Sequence, residues 1–457
     1  PSLKAACYAW FISQSIRAAF SPPKSRQRNQ RFTQFHPSVG GPRPVPDAMV
    51  NAERRYDPMR LNIFTVLTLL LKVVSLYFLV IGLFALKKPK PIPSAAPATR
   101  FACLIAARNE EAVIGALVES LRNQNYPAEL FDVYVIPNNC TDDTEGVARR
   151  AGAQIFRCFG AVRRKGDALH EAVARLMEQG YDAFCVFDAD NIVHPDFLAR
   201  MNDAFQDGAQ VCKGAMRVKN PADSPVAGSY GLYFTLFDTF YSRARMNCGL
   251  SSKLVGTGFA VRREVFEALR GWNTCTIAED AEFAAQCARQ GFRVRFVPNA
   301  LTYDEAPVTF ALSLRQRRRW CSGLMDVADR QRAPLLRAVA GAGGPLAVDS
   351  LIMLHGPYLQ AGSALLLVLS RLTALITGQR PEVLLLTLAA ALLLSYLLCA
   401  AGGGVLARIG GYGGRAAVRA ALFFPIFMAS WLPLQLLSLL RRTRCWQPIR
   451  HGASLRA

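Results

Sequence analysis

Paired cysteines are missing from this sequence. Its 12 Cys lie far apart between Cys7 and Cys445, with no C-x-x-C pair and no cluster of Cys with His. That excludes a zinc site and a disulfide scaffold, and it suits a reducing compartment. Charge is scarce as well, at 19% of residues against 51% hydrophobic. A chain this apolar is not intrinsically disordered, and 457 residues allow more than one domain. Acidic residues are the rarer sign, 33 against 54 Lys plus Arg, for a net charge of +21. The excess is uneven: 1–58 hold 9 basic and 3 acidic residues, 59–306 hold 28 and 26, and 307–457 hold 17 and 4. The balanced middle offers no basic stripe, so no nucleic acid is expected as a partner. The excess instead flanks apolar runs, where it meets anionic membrane lipids and sets orientation.

Residues 1–58 show no sustained periodicity and no compact apolar stretch ending at a small-residue cleavage site, which argues against a signal peptide. They read as a basic flexible arm, or as sequence upstream of a start at Met59. The run 61–86 carries a single charge, Lys72. It is long enough to cross a hydrocarbon core of ~30 Å, and the lysine is expected to snorkel or face protein. Lys87, Lys88 and Lys90 follow, then a stiff Pro-rich linker, so 59–90 is read as a transmembrane helix with its basic flank.

From 91 to 308 the pattern changes. The runs FACLIA, DVYVIP, AQIFR, AFCVFD, QVCKGAM and RVRFVP predict buried strands, and stretches of helical spacing separate them. Such alternation implies an α/β domain with a largely parallel sheet covered on both faces, whose ligands bind at the carboxyl ends of strands. Beyond it, 309–345 are expected to form interfacial helices. Residues 346–440 hold about three transmembrane or re-entrant segments near 347–369, 383–406 and 420–440, broken by Pro357, Pro425 and Pro433. A basic tail, 441–457, carries Arg441, Arg442, Arg444 and Arg450. Three full spans after a cytoplasmic domain would place that tail outside, against the positive-inside tendency, unless one segment re-enters or lies in the interface.

Three motifs carry chemistry. Asp188-Ala189-Asp190 closes the apolar run AFCVFD. Two hard oxygen ligands at a strand end suit Mg²⁺ or Mn²⁺ bridging a diphosphate. Chance alone supplies about 0.8 D-x-D in such a composition, so its placement is the informative part. Glu279-Asp280 opens a helix-like stretch, where acids are also simply good helix starters. Gln316-Arg317-Arg318-Arg319-Trp320 forms Q-x-x-R-W, expected by chance only about 0.02 times. A basic helix lying on a membrane surface would share that composition.

Together and in this order, the motifs resemble membrane-embedded family 2 glycosyltransferases, the group that includes cellulose, chitin and hyaluronan synthases and ceramide glucosyltransferase. Ala106-Ala107-Arg108-Asn109-Glu110, Asn138-Asn139-Cys140-Thr141-Asp142-Asp143-Thr144, Lys165-Gly166-Asp167, Gly256-Thr257-Gly258 and Trp446-x-Pro448-Ile449 add to the match. The resemblance implies a GT-A fold: a Rossmann-like nucleotide-sugar-binding domain inserted between transmembrane helices. It implies nucleotide contacts from Ala107, Glu110, Asn138, Lys165 and Asp188, and a metal held by Asp188 and Asp190. Asp280 is the implied general base, with Glu279, Gln316, Arg319 and Trp320 near the diphosphate and acceptor. The expected reaction is metal-dependent and inverting, from a UDP-sugar to a growing β-linked polysaccharide at the cytoplasmic face of the cell membrane, with export. The alternative is transfer of one sugar to a lipid acceptor. Where relatives usually carry an Asp that reads the nucleobase, this chain has Asn138, which loosens the expected uridine selectivity.

Overall fold

The computed structural model describes residues 63–376 and 378–443. The arm 1–58, the run Trp446-x-Pro448-Ile449, and Arg444 and Arg450 of the tail lie outside the described residues.

An eight-stranded sheet organises the middle of the chain. Its strands are β1 (Phe101–Ala107), β2 (Phe131–Pro137), β3 (Gln154–Ile155), β4 (Ala183–Asp188), β5 (Ile192–Val193), β6 (Val211–Val218), β7 (Phe259–Arg262) and β8 (Val294–Asp304). Their spatial order is β3-β2-β1-β4-β7-β6-β8-β5. β1 pairs in parallel with β2 on one side and β4 on the other, and β6 pairs in parallel with β8. β7 runs antiparallel between β4 and β6, and β5 runs antiparallel along β8. The sheet is therefore mixed, where a largely parallel one is expected from sequence. β7 is only four residues long and follows directly on Gly256-Thr257-Gly258, so it carries no periodic signal. The AQIFR run supplies only the two residues of β3.

Successive residues of a strand point to opposite faces, and here both faces are covered. Cys103, Ile105, Cys185 and Phe187 pack on one side with Leu117 and Val118 of helix Ile114–Arg122 and Met201 of helix Phe197–Gln206. Leu104, Phe184 and Val186 pack on the other with Leu169 and Val173 of helix Lys165–Leu176 and Phe283 of helix Glu279–Arg289. This two-sided burial is why the strands read as continuous apolar runs. The chain leaves β1 toward β2 and later returns to β4 on its other side. That reversal opens a crevice at the carboxyl ends of β1 and β4, where Ala106 pairs with Asp188.

Four stretches are long and apolar enough to cross a membrane: Thr65–Leu86, Gly356–Ile376, Pro381–Gly410 and Gly414–Leu440. The apolar stretch after 345 begins with a short helix, Gly344–Leu354, and His355 separates it from the next. The last of the four lies across the globular domain. Just before it, Gly410 and Tyr412 sit against Thr235 and Gly231 of helix Pro225–Leu236. In its middle Ala420 seats against Gly228, and Phe424 and Phe427 join a core with Tyr230. Its far end returns to the 30-residue helix Phe310–Val339: Arg442 pairs with Asp329 at 2.6 Å, and Thr443 N–H donates to Ser322 Oγ at 3.2 Å. The residues that flank this stretch at either end thus touch the globular domain or the long helix that follows it.

Candidate active site

The residues at the crevice converge on one turn, Gly256-Thr257-Gly258, between the carboxyl end of β4 and the amino end of β7. Gly256 N–H donates to Asp280 Oδ2 at 2.5 Å, while its carbonyl accepts from Lys165 Nζ at 2.7 Å. The same ammonium reaches Asp188 Oδ1 at 2.5 Å and a Glu279 carboxylate oxygen at 3.4 Å. One backbone unit and one lysine therefore tie the D-x-D strand end to the Glu279-Asp280 helix start. Gly256 sits at φ +23°, and a Cβ there would stand 3.1 Å from Asp188 Oδ2. Only glycine lets the turn approach the carboxylate this closely. Thr257 Oγ1 accepts from Asp188 N–H at 3.1 Å and donates to Asn191, whose amide donates to Asp304 Oδ1 at 2.6 Å.

Charge is concentrated here. Burial raises the Glu279 carboxyl to about 7; Lys165 pulls it down, and Asp280 and Asp188 push it up. Burial alone would lower the Lys165 ammonium's pKa, but Asp188 and Glu279 outweigh this and hold it above the usual lysine range. Burial, then Asp190 and Asp188, push Asp304 well above the usual carboxylate range.

Asp188, Asp190, Glu279, Asp280, Glu110, Asn138 and Lys165 all line one cavity of about 1670 Å³. Ala107 does not. It is 1% exposed, and its carbonyl accepts from the Asn138 N–H at 2.9 Å and from the Asn138 amide nitrogen at 3.1 Å, while Ala106 and Arg108 line the space. That hold on the amide nitrogen leaves the Asn138 carbonyl oxygen as an acceptor. Gln316, Arg319 and Trp320 line the cavity from the long helix. Gln316 accepts from Tyr230 OH at 2.8 Å, and the Trp320 ring lies 6.0 Å from Tyr230 and 6.3 Å from Trp431.

Arg317, the residue between Gln316 and Arg319, does something else. It is fully buried and donates to Ser313 Oγ at 3.1 Å and to the Phe427 carbonyl at 2.9 Å, with its guanidinium 4.0 Å from the Phe427 ring centroid. It fastens the long helix to the stretch Gly414–Leu440. Gly323 brings that helix against the acidic turn, since a Cβ there would lie 3.0 Å from Ala278 Cβ and 3.2 Å from Ile277 Cγ1. The sequence offered no signal for Arg317 beyond one more cation in a run. Asp304 was legible in principle, because it ends a strand on the side where ligands bind.

Among the described residues no group of three or more His, Cys, Asp or Glu side chains gathers as a metal site. Asp188 and Asp190 on the cavity wall fit a hard divalent cation that completes its shell with diphosphate oxygens and water, as Mg²⁺ does in nucleotide sites.

The sheet and its crevice define a class, a GT-A-like, Rossmann-type α/β domain, and the comparisons agree. Residues 97–323 match the family described as "Glycosyltransferase like family 2", so this stretch is a glycosyltransferase family 2 domain. The probable glycosyltransferase YdaM of Bacillus subtilis is 31% identical over 232 residues, 48% of this chain and 54% of its own length. The beta-monoglucosyldiacylglycerol synthase of Synechocystis sp. is 31% identical over 240 residues, 50% of this chain and 49% of its own. The poly-beta-1,6-N-acetyl-D-glucosamine synthase of Staphylococcus epidermidis is 20% identical over 239 residues, 51% and 57%. The chain spans about half the length of the curated relatives it matches. Among solved structures, the mannosyltransferase PcManGT of Pyrobaculum calidifontis, in complex with GDP-Man and Mn²⁺, shares the fold. Its TM-score is 0.56 at 19% identity, over 79% of this chain and 97% of that one.

Proposed function

We propose that this protein transfers a single sugar, with inversion, from a nucleotide-sugar to a membrane lipid. One observation carries the reading: the cavity lined by Asp188 and Asp280 is also lined by residues of the apolar helices. There its lining is mainly aliphatic, with Leu71, Val74, Leu367, Leu388 and Leu392 among the residues that face it. A slot of this kind matches an acyl chain, while nearer Asp280 the lining turns aromatic and polar with Tyr233, Phe237, Trp320, Trp431 and Gln435, which suits a headgroup or a sugar. One of the relatives named above is called a beta-monoglucosyldiacylglycerol synthase, a name that is consistent with a lipid acceptor. The second reading, a processive polysaccharide synthase, rests on Gln316, Arg319 and Trp320 lining the same cavity.

In this mechanism the acceptor hydroxyl is placed against Asp280, which takes its proton as the oxygen attacks the anomeric carbon from the face opposite the diphosphate. The Gly256 N–H grips one carboxylate oxygen and keeps it aimed. Asn138 Oδ1 and Glu110 hold the nucleoside, with a UDP-sugar as the proposed donor. Arg319 offers a planar fork to the diphosphate, and Trp320 offers an apolar face to the acceptor. A Mg²⁺ or Mn²⁺ at Asp188 and Asp190 would supply positive charge where negative charge develops on the leaving group.

We read the domain as cytoplasmic, where nucleotide-sugars are found, and the protein as a multi-pass membrane protein. With the residues that flank Gly414–Leu440 at either end touching the domain or the long helix, that stretch lies in the interface, and Arg441 and Arg442 stay with the domain as the positive-inside tendency asks. Protein in nanodiscs, given labelled UDP-sugars and lipid, is expected to put label into the organic phase as a lipid bearing one sugar. Label in a polymer that stays at the top of a gel would favour the second reading.

A further inference from the structure

Lys253 lies in the loop between the helix ending at Asn247 and the Gly256 turn. It lines the cavity, and its ammonium stands 4.5 Å from the centroid of the Phe237 ring. No hydrogen bond or ion pair holds that ammonium among the described residues. Burial pushes its pKa down, and nearby Asp280 and Cys321 only partly oppose this. A half-buried cation near Asp280 but paired with no carboxylate among the described residues is costly to keep, unless the bound state supplies an anion.

The donor end of the cavity is already furnished. Lys165 pairs with Asp188 and Glu279, and Arg319, which lines the same cavity, is the residue proposed above for the diphosphate. Lys253 lies near Asp280, and the ring it touches belongs to the helical turn Phe237–Arg243, whose Phe240 packs with Tyr77 and Ile81 of the first apolar helix. Its neighbour Phe237 belongs to an aromatic row, 4.6 Å from Tyr233 and 5.4 Å from Tyr241, and Tyr233 stacks on Trp431 at 5.4 Å. A lipid headgroup coming from between the helices passes this row before it reaches the base.

From this placement we infer that Lys253 binds the phosphate of the acceptor, and that the acceptor is an anionic phospholipid whose headgroup carries a free hydroxyl, not a neutral diglyceride. This rests on the lipid-acceptor reading above. The hydroxyl oxygen forms the new bond to the anomeric carbon, its proton passes to Asp280, and the carbon–oxygen bond to the nucleoside diphosphate breaks with the electron pair leaving on the diphosphate. The phosphate of the lipid stays bound at Lys253 throughout.

The test uses the full chain in nanodiscs with a labelled UDP-sugar donor and, in parallel, phosphatidylglycerol and dioleoylglycerol as acceptors. Wild type is expected to favour phosphatidylglycerol. Lys253→Met should raise KM for phosphatidylglycerol roughly 10- to 100-fold, the worth of one charge-assisted hydrogen bond. It should leave the donor KM and any transfer to dioleoylglycerol unchanged. Lys253→Arg should recover most of the loss, and matching thermal unfolding of the three proteins excludes misfolding as the cause. Equal loss with both lipids, a preference for the diglyceride, or a change confined to the donor KM would overturn the inference; the last would assign the cation to the nucleotide. Transfer to a soluble saccharide and to neither lipid would instead overturn the lipid-acceptor reading, and this inference with it.

Discussion

Replacing Lys165 by Met removes the cation that, among the described residues, pairs with both acidic motifs. Its ammonium is 2.5 Å from Asp188 and 3.4 Å from Glu279, and the three side chains are 20%, 41% and 12% exposed. Breaking a fully buried pair costs about 3–5 kcal/mol, and breaking an exposed one about 0–1. This group lies between those limits, so about 2 kcal/mol is expected. For a domain of this size that lowers Tm by roughly 4–8 °C. The loss comes from carboxylates left facing each other, so it should be partly reversible. Adding Glu279→Gln to Lys165→Met should bring back a good part of the lost Tm, although Glu279→Gln alone gains little. Thermal unfolding of the wild type, both single variants and the double variant measures the coupling directly. Additive effects, or an unchanged Tm for Lys165→Met, would refute the claim that this lysine holds the motifs together.

Gly323→Val should push the long helix off the Ala278 turn, lowering Tm by an amount worth about 1–3 kcal/mol and turnover by on the order of 100-fold with little change in donor KM; steady-state kinetics against the wild type checks this. Glu279 has a folded pKa of about 7 against an ordinary 4.5, so the folded state keeps a proton that the unfolded state releases. Its contribution to stability is complete below pH 4.5 and fades as pH rises through 7, and Glu279→Gln should remove that component from a comparison of Tm against pH. Asn138→Asp should sharpen the preference for uridine over other nucleotides, read from competition between labelled donors; an unchanged preference would remove Asn138 from the nucleobase site.

The strands that end in the site were legible because they are buried on both faces. AFCVFD is β4 residue for residue, and the position of Asp188 at its end follows from that alone. Distances between motifs were not legible. Nothing local in Gly256-Thr257-Gly258 says that its middle will bond Asn191 or that its first N–H will hold Asp280, since both depend on the crossing of β4, β7 and helix Glu279–Arg289. β7 was missed because four residues after a glycine turn carry no period. The course of Gly414–Leu440 was ambiguous for a different reason. Its composition suits a membrane span, and it is Gly228 and Tyr230, far away in sequence, that give Ala420 and Phe427 a seat on the domain. Lys253 and Arg317 are ordinary cations in the sequence, and their surroundings alone distinguish them.

The central claim is that Asp280 activates a lipid hydroxyl toward a sugar held at Asp188. It is tested most directly by following labelled sugar from a UDP-donor into chloroform-extractable product, with wild type and Asp280→Asn side by side in nanodiscs. Wild type should form a lipid carrying one sugar, while the variant should bind donor normally and lose at least about 100-fold in turnover. Near-wild-type turnover by Asp280→Asn, or label found only in water-soluble polymer, would contradict the account.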